Sequence, residues 1–389
     1  MADFERKHKE NKPVVAICYD FDKTLSPDDM QAQGFIQSVG CDVDSFWKES
    51  NGRATDNDMD KNLAYMYTML DKSYGNFVFN KQKLREYGAQ VGLFPGVDSW
   101  FERIRNYGKE KGVIVEHYII SSGLKEMIEG TCVANSFEKI YASSFYYDDK
   151  GVAKWPAQVV NYTNKTQFLF RIEKGVLDIN DQGVNDYFAP EDIRVPFRNI
   201  IYIGDSDTDI PCMKLVNSYG GHSVGVYNPD TNKKEKVYRM MHDNRIRYFA
   251  AANYSEGSDL DNLVKAIIDR TYSNEILENI HYENKKEFEK NDENITKEQK
   301  ERRSLILDLE NSGTFKTTHM VVEKMRKITE WSDSEKKWLL DIANTNSQVW
   351  SILEDNDVES FFKYILKDMK NLSENAQEVK SKLEKKKVE

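Results

Sequence analysis

Two aspartates stand two positions apart, directly after an apolar run near the start of this sequence. The run is Val14–Cys18 in VVAICYDFDKTLS, and Asp20 and Asp22 follow it. Carboxylates this close repel each other and gain little from an apolar wall. Alternate residues of an extended chain point the same way, so both carboxylates can face one reacting group. The pair therefore indicates a site that a cation neutralises.

Polar residues also follow two later apolar runs. They are Ser121, Ser122 and Gly123 after one run, and Asp205, Asp207 and Asp209 in NIIYIGDSDTD. In open α/β sheets, ligands bind outside the carboxyl ends of the strands. Carboxylate oxygens suit Mg²⁺, which typically also takes water and a substrate phosphate. The sequence thus predicts a site for Mg²⁺ and a phosphate ester. Turn and cap formation explains any one of these residues, but explains the whole ordered set poorly.

The elements that must position these residues are short strands alternating with helices up to about residue 270. VVAICY, VEHYIIS, NIIYIGD and SVGVYN are predicted strands, and SSFYYDDKGVAKWPAQVV is a predicted hairpin. Continuous apolar runs of this kind suit a parallel sheet that is covered on both faces. The predicted fold class is α/β: a doubly wound, Rossmann-like parallel sheet with a helical cap insertion and an extra all-helical C-terminal region.

Three domains are predicted. Residues 14–29 and 94–273 form a catalytic core, residues 30–93 a helical cap, and residues 274–389 a charged helical module. The segment 30–93 lacks a strong strand pattern and is too long for a single crossover. Beyond 274 proline disappears, and apolar residues and tryptophans recur at helical spacing. This module is open to three interpretations: a second lid, an oligomerisation element or a partner-binding unit.

Composition and charge exclude several classes of protein. The net charge of −10 argues against a general nucleic-acid binder. The charged N-terminus and the lack of a long apolar run predict a cytoplasmic protein with no membrane segment. The four cysteines show no C-x-x-C spacing, which argues against a disulfide or zinc framework. The expected partners are a small phosphorylated substrate and, through the C-terminal helices, a protein partner or a second copy.

DFDKT at 20–24 resembles the D-x-D-x-T signature of the haloacid dehalogenase superfamily, the aspartate-nucleophile phosphatases. The resemblance continues in order with Ser121 after an apolar strand, a lysine at a helix start, and GDSDTD as G-D-x-x-x-D. It covers residues 14 to about 270. GLFPGV at 92–97 follows the helical insertion and is similar to members with a cap between the first two motifs, such as phosphoserine phosphatase.

The resemblance implies roles for the residues at the strand ends. Asp20 would be the nucleophile, and Asp22 would protonate the leaving group and then activate water. Ser121 would bind the phosphoryl group, together with the backbone N–H groups of Ser122 and Gly123 at a helix start.

The resemblance also implies a lysine that neutralises the nucleophile and the phosphoryl group. The candidates are Lys150, Lys154, Lys165 and Lys174. We select Lys165, because YTNKTQFLFRI places it beside an N-cap signal with an apolar helix behind it.

The implied metal set is Asp20, Asp22, Asp205 and Asp209, with Asp209 either a ligand or a partner that fixes the others. Asp207 is expected to face solvent. The predicted function is a Mg²⁺-dependent phosphomonoester hydrolase that forms an aspartyl-phosphate and acts on a small phosphorylated metabolite. The alternatives are a scaffold protein with a vestigial core, and a phosphotransferase or phosphomutase. The substrate itself stays open, with Arg53 in the cap considered as an anion clamp.

Overall fold

A computed structural model describes residues 4–291, 296–367, 369 and 372–384. The chain divides into two compact units: Met1–Asn185 with Arg194–Leu277, and Asp186–Ile193 with Glu278–Glu389. All of the strands among the described residues lie in the first unit. No helix among the described residues is both long and apolar enough to cross a membrane.

The first unit is built on a seven-stranded sheet in the order β4-β3-β2-β1-β5-β6-β7. The strands are β1 (Val14–Tyr19), β2 (Ile114–Leu124), β3 (Lys139–Tyr147), β4 (Ala153–Gln158), β5 (Ile200–Gly204), β6 (His222–Tyr227) and β7 (Tyr248–Ala251). Each neighbouring pair is parallel except β3 and β4, which form the predicted hairpin. The sheet and the helices on its two faces confirm the predicted fold class.

Helices cover both faces of this sheet and form the insertion after β1. They are α1 (Phe35–Ser38), α2 (Val43–Asp56), α3 (Lys61–Ser73), α4 (Lys81–Gly88), α5 (Val97–Glu110), α6 (Lys125–Gly130), α7 (Thr166–Lys174), α8 (Ile210–Ser218), α9 (Glu235–His242) and α10 (Asp259–Asn291). α2 falls within the predicted helical insertion, although no sequence pattern singled it out, and the patterns did not predict α9 or β7.

Strand β1 is buried on both faces, and its alternate residues enter two different cores. Val15, Ile17 and Tyr19 pack into the core that contains α5, the start of α10 and the insertion. Val14, Ala16 and Cys18 pack into the core that contains α7, α8 and α9. The apolar run therefore has to be continuous rather than alternating, because neither face of the strand meets water.

The second unit has an apolar core of its own. Its further helices are α11 (Lys297–Glu310), α12 (Phe315–Met325), α13 (Asp333–Thr345), α14 (Ser347–Ser351), α15 (Asn356–Leu366) and α16 (Glu374–Glu384). In the charged run at 284–303, residues 292–295 lie outside the described part of the chain.

The predicted domain limits stay predictions, but helix α10 constrains where the first unit can end. The limit at 274 falls inside α10, and the next residue, Glu275, accepts hydrogen bonds from Arg198 and Asn199 of the first unit. The segment Asp186–Ile193, which we assigned to the core, groups with the C-terminal helices. A truncation that spares the first unit therefore has to end beyond Leu277.

A buried ion pair holds the N-terminal part of β2, where Glu116 lies. Glu116 is 5% exposed and accepts two hydrogen bonds of 2.8 Å from Arg194. Lys7 and the hydroxyl of Tyr118 also donate to it, both at 2.6 Å. Burial would raise the pKa of Glu116, but Arg194 and Lys7 outweigh burial and lower it to about 2.

We therefore expect Glu116→Gln to lower the free energy of unfolding at pH 7 by roughly 3 kcal/mol, because the buried Arg194 guanidinium loses its buried charge partner and keeps Glu10, whose side chain is 35% exposed. The folded-state pKa is depressed, so this contribution is complete above the unfolded pKa of about 4.5 and is lost as the pH falls toward 2. Urea denaturation at pH 7, 5 and 3 measures the difference.

The matched control is Glu138→Gln. Glu138 also pairs with Lys7, at 2.7 Å, but its side chain is 31% exposed. That change should cost under about 1 kcal/mol, as is usual for surface pairs. Equal losses in the two variants, or a loss at Glu116 that does not shrink with falling pH, would contradict the assignment.

Candidate active site

Three neighbouring strands end at the same edge of the sheet. The register pairs Tyr19 of β1 with Ile119 of β2 and with Ile203 of β5. The residues that follow, Asp20, Ser121 and Asp205, therefore converge. The Asp20 N–H donates to the carbonyl of Ile203 at 3.0 Å, which holds Asp20 against the end of β5.

Three carboxylates meet at this edge. One oxygen from each of Asp20, Asp205 and Asp209 lies within 4.8 Å of the others, and the described residues contain no other group of three or more His, Cys, Asp or Glu side chains this close together. Asp20 is 6% exposed and Asp209 is fully buried. The side chain of Asp205 is 14% exposed and forms the open side of the group.

Lys165 supplies the buried positive charge of this site. It directly precedes α7, and its Nζ lies 2.8 Å from Asp209 Oδ1 and 3.3 Å from Asp20 Oδ2. Its side chain is 0% exposed. The other three candidate lysines have other surroundings: Lys154 pairs with Asp148, Lys174 donates to the carbonyl of Val184, and Lys150 lies at the exposed hairpin turn.

Burial and mutual repulsion shift the pKa values of these groups. Burial and the charge of Asp209 raise the pKa of Asp20 to about 6, although Lys165 and the Phe21 N–H oppose the shift. Burial raises the pKa of Asp205 to about 7, against the charge of Lys236. Burial would lower the pKa of Lys165, but the charges of Asp20 and Asp209 raise it above its ordinary value. The ammonium therefore stays charged, while Asp20 and Asp205 bind protons more readily than free aspartates.

Asp209 is built to hold Lys165. Its Oδ1 accepts hydrogen bonds from Lys165 and from the hydroxyl of Tyr202 at 2.9 Å. Its Oδ2 accepts from the N–H and hydroxyl of Ser206. A Cβ on Gly204 would lie 2.5 Å from Asp209 Oδ2, so only glycine lets the carboxylate approach β5 this closely. Of the two expected roles for Asp209, this geometry favours the positioning partner.

Asp22 lies apart from the three-carboxylate group, which differs from the predicted metal set. Its Oδ1 accepts from the N–H of Met30 at 2.8 Å, which turns the side chain toward the insertion. A Cβ on Gly123 would lie 2.9 Å from Asp22 Oδ2, so the carboxylate rests against the end of β2. Burial and the nearby Asp29 raise the pKa of Asp22 well above its ordinary value.

The Ser121–Gly123 segment lies at the end of a strand and not at a helix start. β2 runs to Leu124 through an irregular register, and α6 begins only at Lys125. Ser121 is 1% exposed, and its hydroxyl lies close enough to lower the pKa of Asp20. The N–H of Gly123 donates to that hydroxyl at 3.1 Å. The predicted helix-start geometry is wrong, because the strand continues past the polar residues.

The loop that follows β1 is anchored from two sides. The hydroxyl of Tyr254 donates to the carbonyl of Thr24 at 2.8 Å, and the Phe94 N–H donates to the carbonyl of Leu25 at 2.9 Å. The N–H of Tyr254 in turn donates to the carbonyl of Pro95. These bonds fix the loop that carries Asp22, and the sequence patterns did not reveal Tyr254.

Lys236 is a second site residue that sequence reasoning missed. It lies on α9, and its Nζ is 3.4 Å from Asp205 Oδ2. The lysines in NKKEKVYR gave no sign of which one turns toward the strand ends.

Asp207 faces solvent as expected. Its side chain is 64% exposed and lies 3.4 Å from Arg239.

The insertion contacts the site through Tyr65 of α3, whose hydroxyl donates to the carbonyl of Ser122 at 2.7 Å. Arg53 does not act as an anion clamp in this structure. Its guanidinium pairs with Glu49 at 2.7 Å and Asp71 at 2.6 Å, within the insertion itself.

Comparison with known proteins identifies this region. A family model described as haloacid dehalogenase-like hydrolase matches residues 17–214, just over half of the 389 residues. An uncharacterized protein of Borreliella burgdorferi is 28% identical over 282 residues, which cover 66% of this chain and 96% of the relative.

Solved structures share low sequence identity with this chain. A HAD family hydrolase, t0658, from Salmonella enterica serovar Typhi is 17% identical, with a TM-score of 0.44, over 67% of this chain and 73% of its own. A substrate-bound phosphoserine phosphatase is 12% identical, with a TM-score of 0.41, over 66% of this chain and 99% of its own. The family assignment therefore rests on the match to the family model and not on these structures.

The site geometry predicts that removing the buried Lys165 ammonium destabilises the fold. Lys165→Met should lower the free energy of unfolding at pH 7 by roughly 3–5 kcal/mol, because the carboxylates lose their buried partner. Without the ammonium the folded-state pKa of Asp20 rises further above its unfolded value, so stability should fall more steeply with rising pH than in the wild type. Urea denaturation in EDTA between pH 5 and 8 measures both effects.

Lys154→Met is the control, since Lys154 forms an ion pair in which its side chain is 54% exposed. We expect it to change stability by less than about 1 kcal/mol at every pH. A Lys165→Met protein as stable as the wild type would show that this lysine does not carry the charge balance of the site.

Proposed function

The chain belongs to the haloacid dehalogenase-like hydrolase family, and from that premise we propose that it is a Mg²⁺-dependent phosphomonoesterase that acts through an aspartyl-phosphate. The observation that carries the proposal is the setting of Asp20. Its Oδ1 accepts the N–H of Phe21 at 2.8 Å, and its Oδ2 lies beside the buried Lys165 ammonium. A carboxylate with an oriented oxygen and a fixed counter-charge is prepared to attack phosphorus.

In the proposed first step, an oxygen of Asp20 forms a bond to phosphorus and the ester P–O bond breaks. The departing alkoxide takes its proton from Asp22. In the second step, Asp22 accepts a proton from a water molecule that attacks the aspartyl-phosphate. Inorganic phosphate leaves, and both carboxyl groups return to their starting states.

The environment of Asp22 supports this division of roles. Burial keeps its pKa above the ordinary value, so the protonated form that an acid requires is populated more than in solution. Asp20 has the cation at 3.3 Å that favours its ionised form. Ser121, beside Asp20, would donate to a phosphoryl oxygen.

The residues present fit a magnesium ion. Asp20 and Asp205 offer hard oxygen ligands within 4.8 Å of each other and of Asp209, and the three carboxylates outnumber the two lysines paired with them, Lys165 and Lys236. A bound Mg²⁺ would reduce repulsion between the substrate phosphate and Asp20. We propose Asp20 and Asp205 as its ligands, with Asp209 as the residue that fixes Lys165. A vestigial scaffold would not need this buried charge cluster.

The test is a screen of phosphate esters with MgCl₂, read as free phosphate released. We expect turnover of at least one small phosphomonoester, its loss in EDTA and its return with Mg²⁺. Asp20→Asn keeps the shape of the side chain but cannot attack, so activity should fall by more than roughly 10³-fold. Asp207→Asn, two residues beyond Asp205 and exposed, is the matched control and should keep wild-type activity.

Three outcomes would reject parts of the proposal. Asp20→Asn within tenfold of wild type rejects the nucleophile. Full activity after exhaustive chelation rejects the metal. Transfer of the phosphoryl group to a second substrate without release of phosphate would replace hydrolysis by phosphotransfer.

The role of Asp22 predicts a dependence on the leaving group. Asp22→Asn should slow alkyl phosphates by roughly 10²–10⁴-fold and p-nitrophenyl phosphate far less, because a good leaving group needs little protonation. Asp28→Asn is the control on the same loop, since Asp28 is exposed and its Oδ1 accepts the N–H of Asp29. Equal losses on both substrates in Asp22→Asn would remove it from the acid role.

A further inference from the structure

Asp205 is the one carboxylate of the three that Lys165 does not contact. The buried ammonium is shared between Asp20 and Asp209, at 3.3 and 2.8 Å. Among the described residues, the only ion pair of Asp205 is the one with Lys236, at 3.4 Å. The site therefore has two cations with separate tasks, one in the core and one at the opening.

The two lysines differ in their freedom to move. The side chain of Lys165 is 0% exposed and enclosed by protein, whereas that of Lys236 is 41% exposed. The backbone of α9 is held by Val237 and Met240, each 1% exposed. Lys236 is therefore delivered to the opening by a fixed helix, but its ammonium can turn to water without disturbing the core.

We propose that Lys236 is the built-in counter-ion of Asp205 in the metal-free enzyme and that Mg²⁺ has to displace or repel it in order to bind. This inference rests on the metal part of the proposed function. An ammonium and a magnesium ion that share one carboxylate repel each other across it. The lysine therefore stabilises the empty site and lowers its affinity for the metal.

The inference predicts tighter metal binding when the lysine charge is removed. Lys236→Gln should bind Mg²⁺ roughly two- to fivefold more tightly, the range expected for a partly exposed ion pair. Isothermal titration calorimetry with MgCl₂ and the full-length, metal-free protein, without substrate, gives this constant directly. Lys236→Arg keeps the charge and should stay close to the wild type.

Arg239→Gln is the matched control. Arg239 lies on the same helix and contacts Asp207, whose side chain is 64% exposed. It should leave the Mg²⁺ affinity unchanged. Raising the salt concentration should reduce the difference between Lys236→Gln and the wild type, because exposed charges are screened.

Thermal unfolding separates this role from a merely structural one. Without metal, Lys236→Gln should melt below the wild type, because Asp205 has lost its counter-ion. At saturating Mg²⁺ the two melting temperatures should coincide, since the metal then neutralises Asp205 in both proteins. A purely structural lysine would leave the same gap with and without the metal.

The outcomes distinguish this inference from the proposal on which it rests. Wild-type protein that binds Mg²⁺, together with Lys236→Gln that binds it equally or more weakly, overturns the inference alone. A melting gap that persists at saturating Mg²⁺ also overturns it. Wild-type protein that takes up no Mg²⁺ overturns the metal part of the proposed function and this inference with it.

Discussion

The contact between the Lys165 ammonium and two carboxylates is the constraint on which the site depends. Three aspartates gathered at one sheet edge would repel each other in a setting with little water. A fully buried lysine that lies 2.8 Å from Asp209 and 3.3 Å from Asp20 makes the cluster possible. The cation needs its own support, which Asp209 gives through hydrogen bonds that also involve Tyr202 and Ser206. Removing Lys165 would leave Asp20 and Asp209 buried without the cation that they share.

The sheet supplies the geometry that this network needs. β1 lies between β2 and β5, so three polar segments far apart in sequence end side by side. The aspartates can then approach the strands closely only where a strand carries a glycine, which has no side chain. Gly204 admits Asp209, and Gly123 admits Asp22, each at a distance where a Cβ would collide with the carboxylate. The glycines beside the aspartates are thus part of the site, although they carry no functional group.

The sequence predicted strands and a helix start, because burial and capping leave local patterns in the sequence. It did not predict the contacts that depend on where individual side chains point. Strands β1, β2, β5 and β6 were evident because a strand buried on both faces is apolar throughout. Lys165 could be chosen because a helix start has a local signature. The separation of Asp22 from the other carboxylates depends on a hydrogen bond from Met30, eight residues away, which no local pattern encodes. Lys236 is recognisable only once β6 and α9 have brought it opposite Asp205.

Two cations of the insertion at residues 30–93 are paired within the insertion itself. Arg53 pairs with Glu49 and Asp71, and Lys72 pairs with Glu49 at 2.7 Å. Neither can serve a second anionic group of a substrate without giving up these pairs. On the core side, Lys23 directly follows Asp22 and is also paired, since its Nζ lies 2.8 Å from Asp29 Oδ2. A second anionic group of a substrate would therefore have to displace an existing carboxylate at each of these three cations, which costs part of the interaction that it gains.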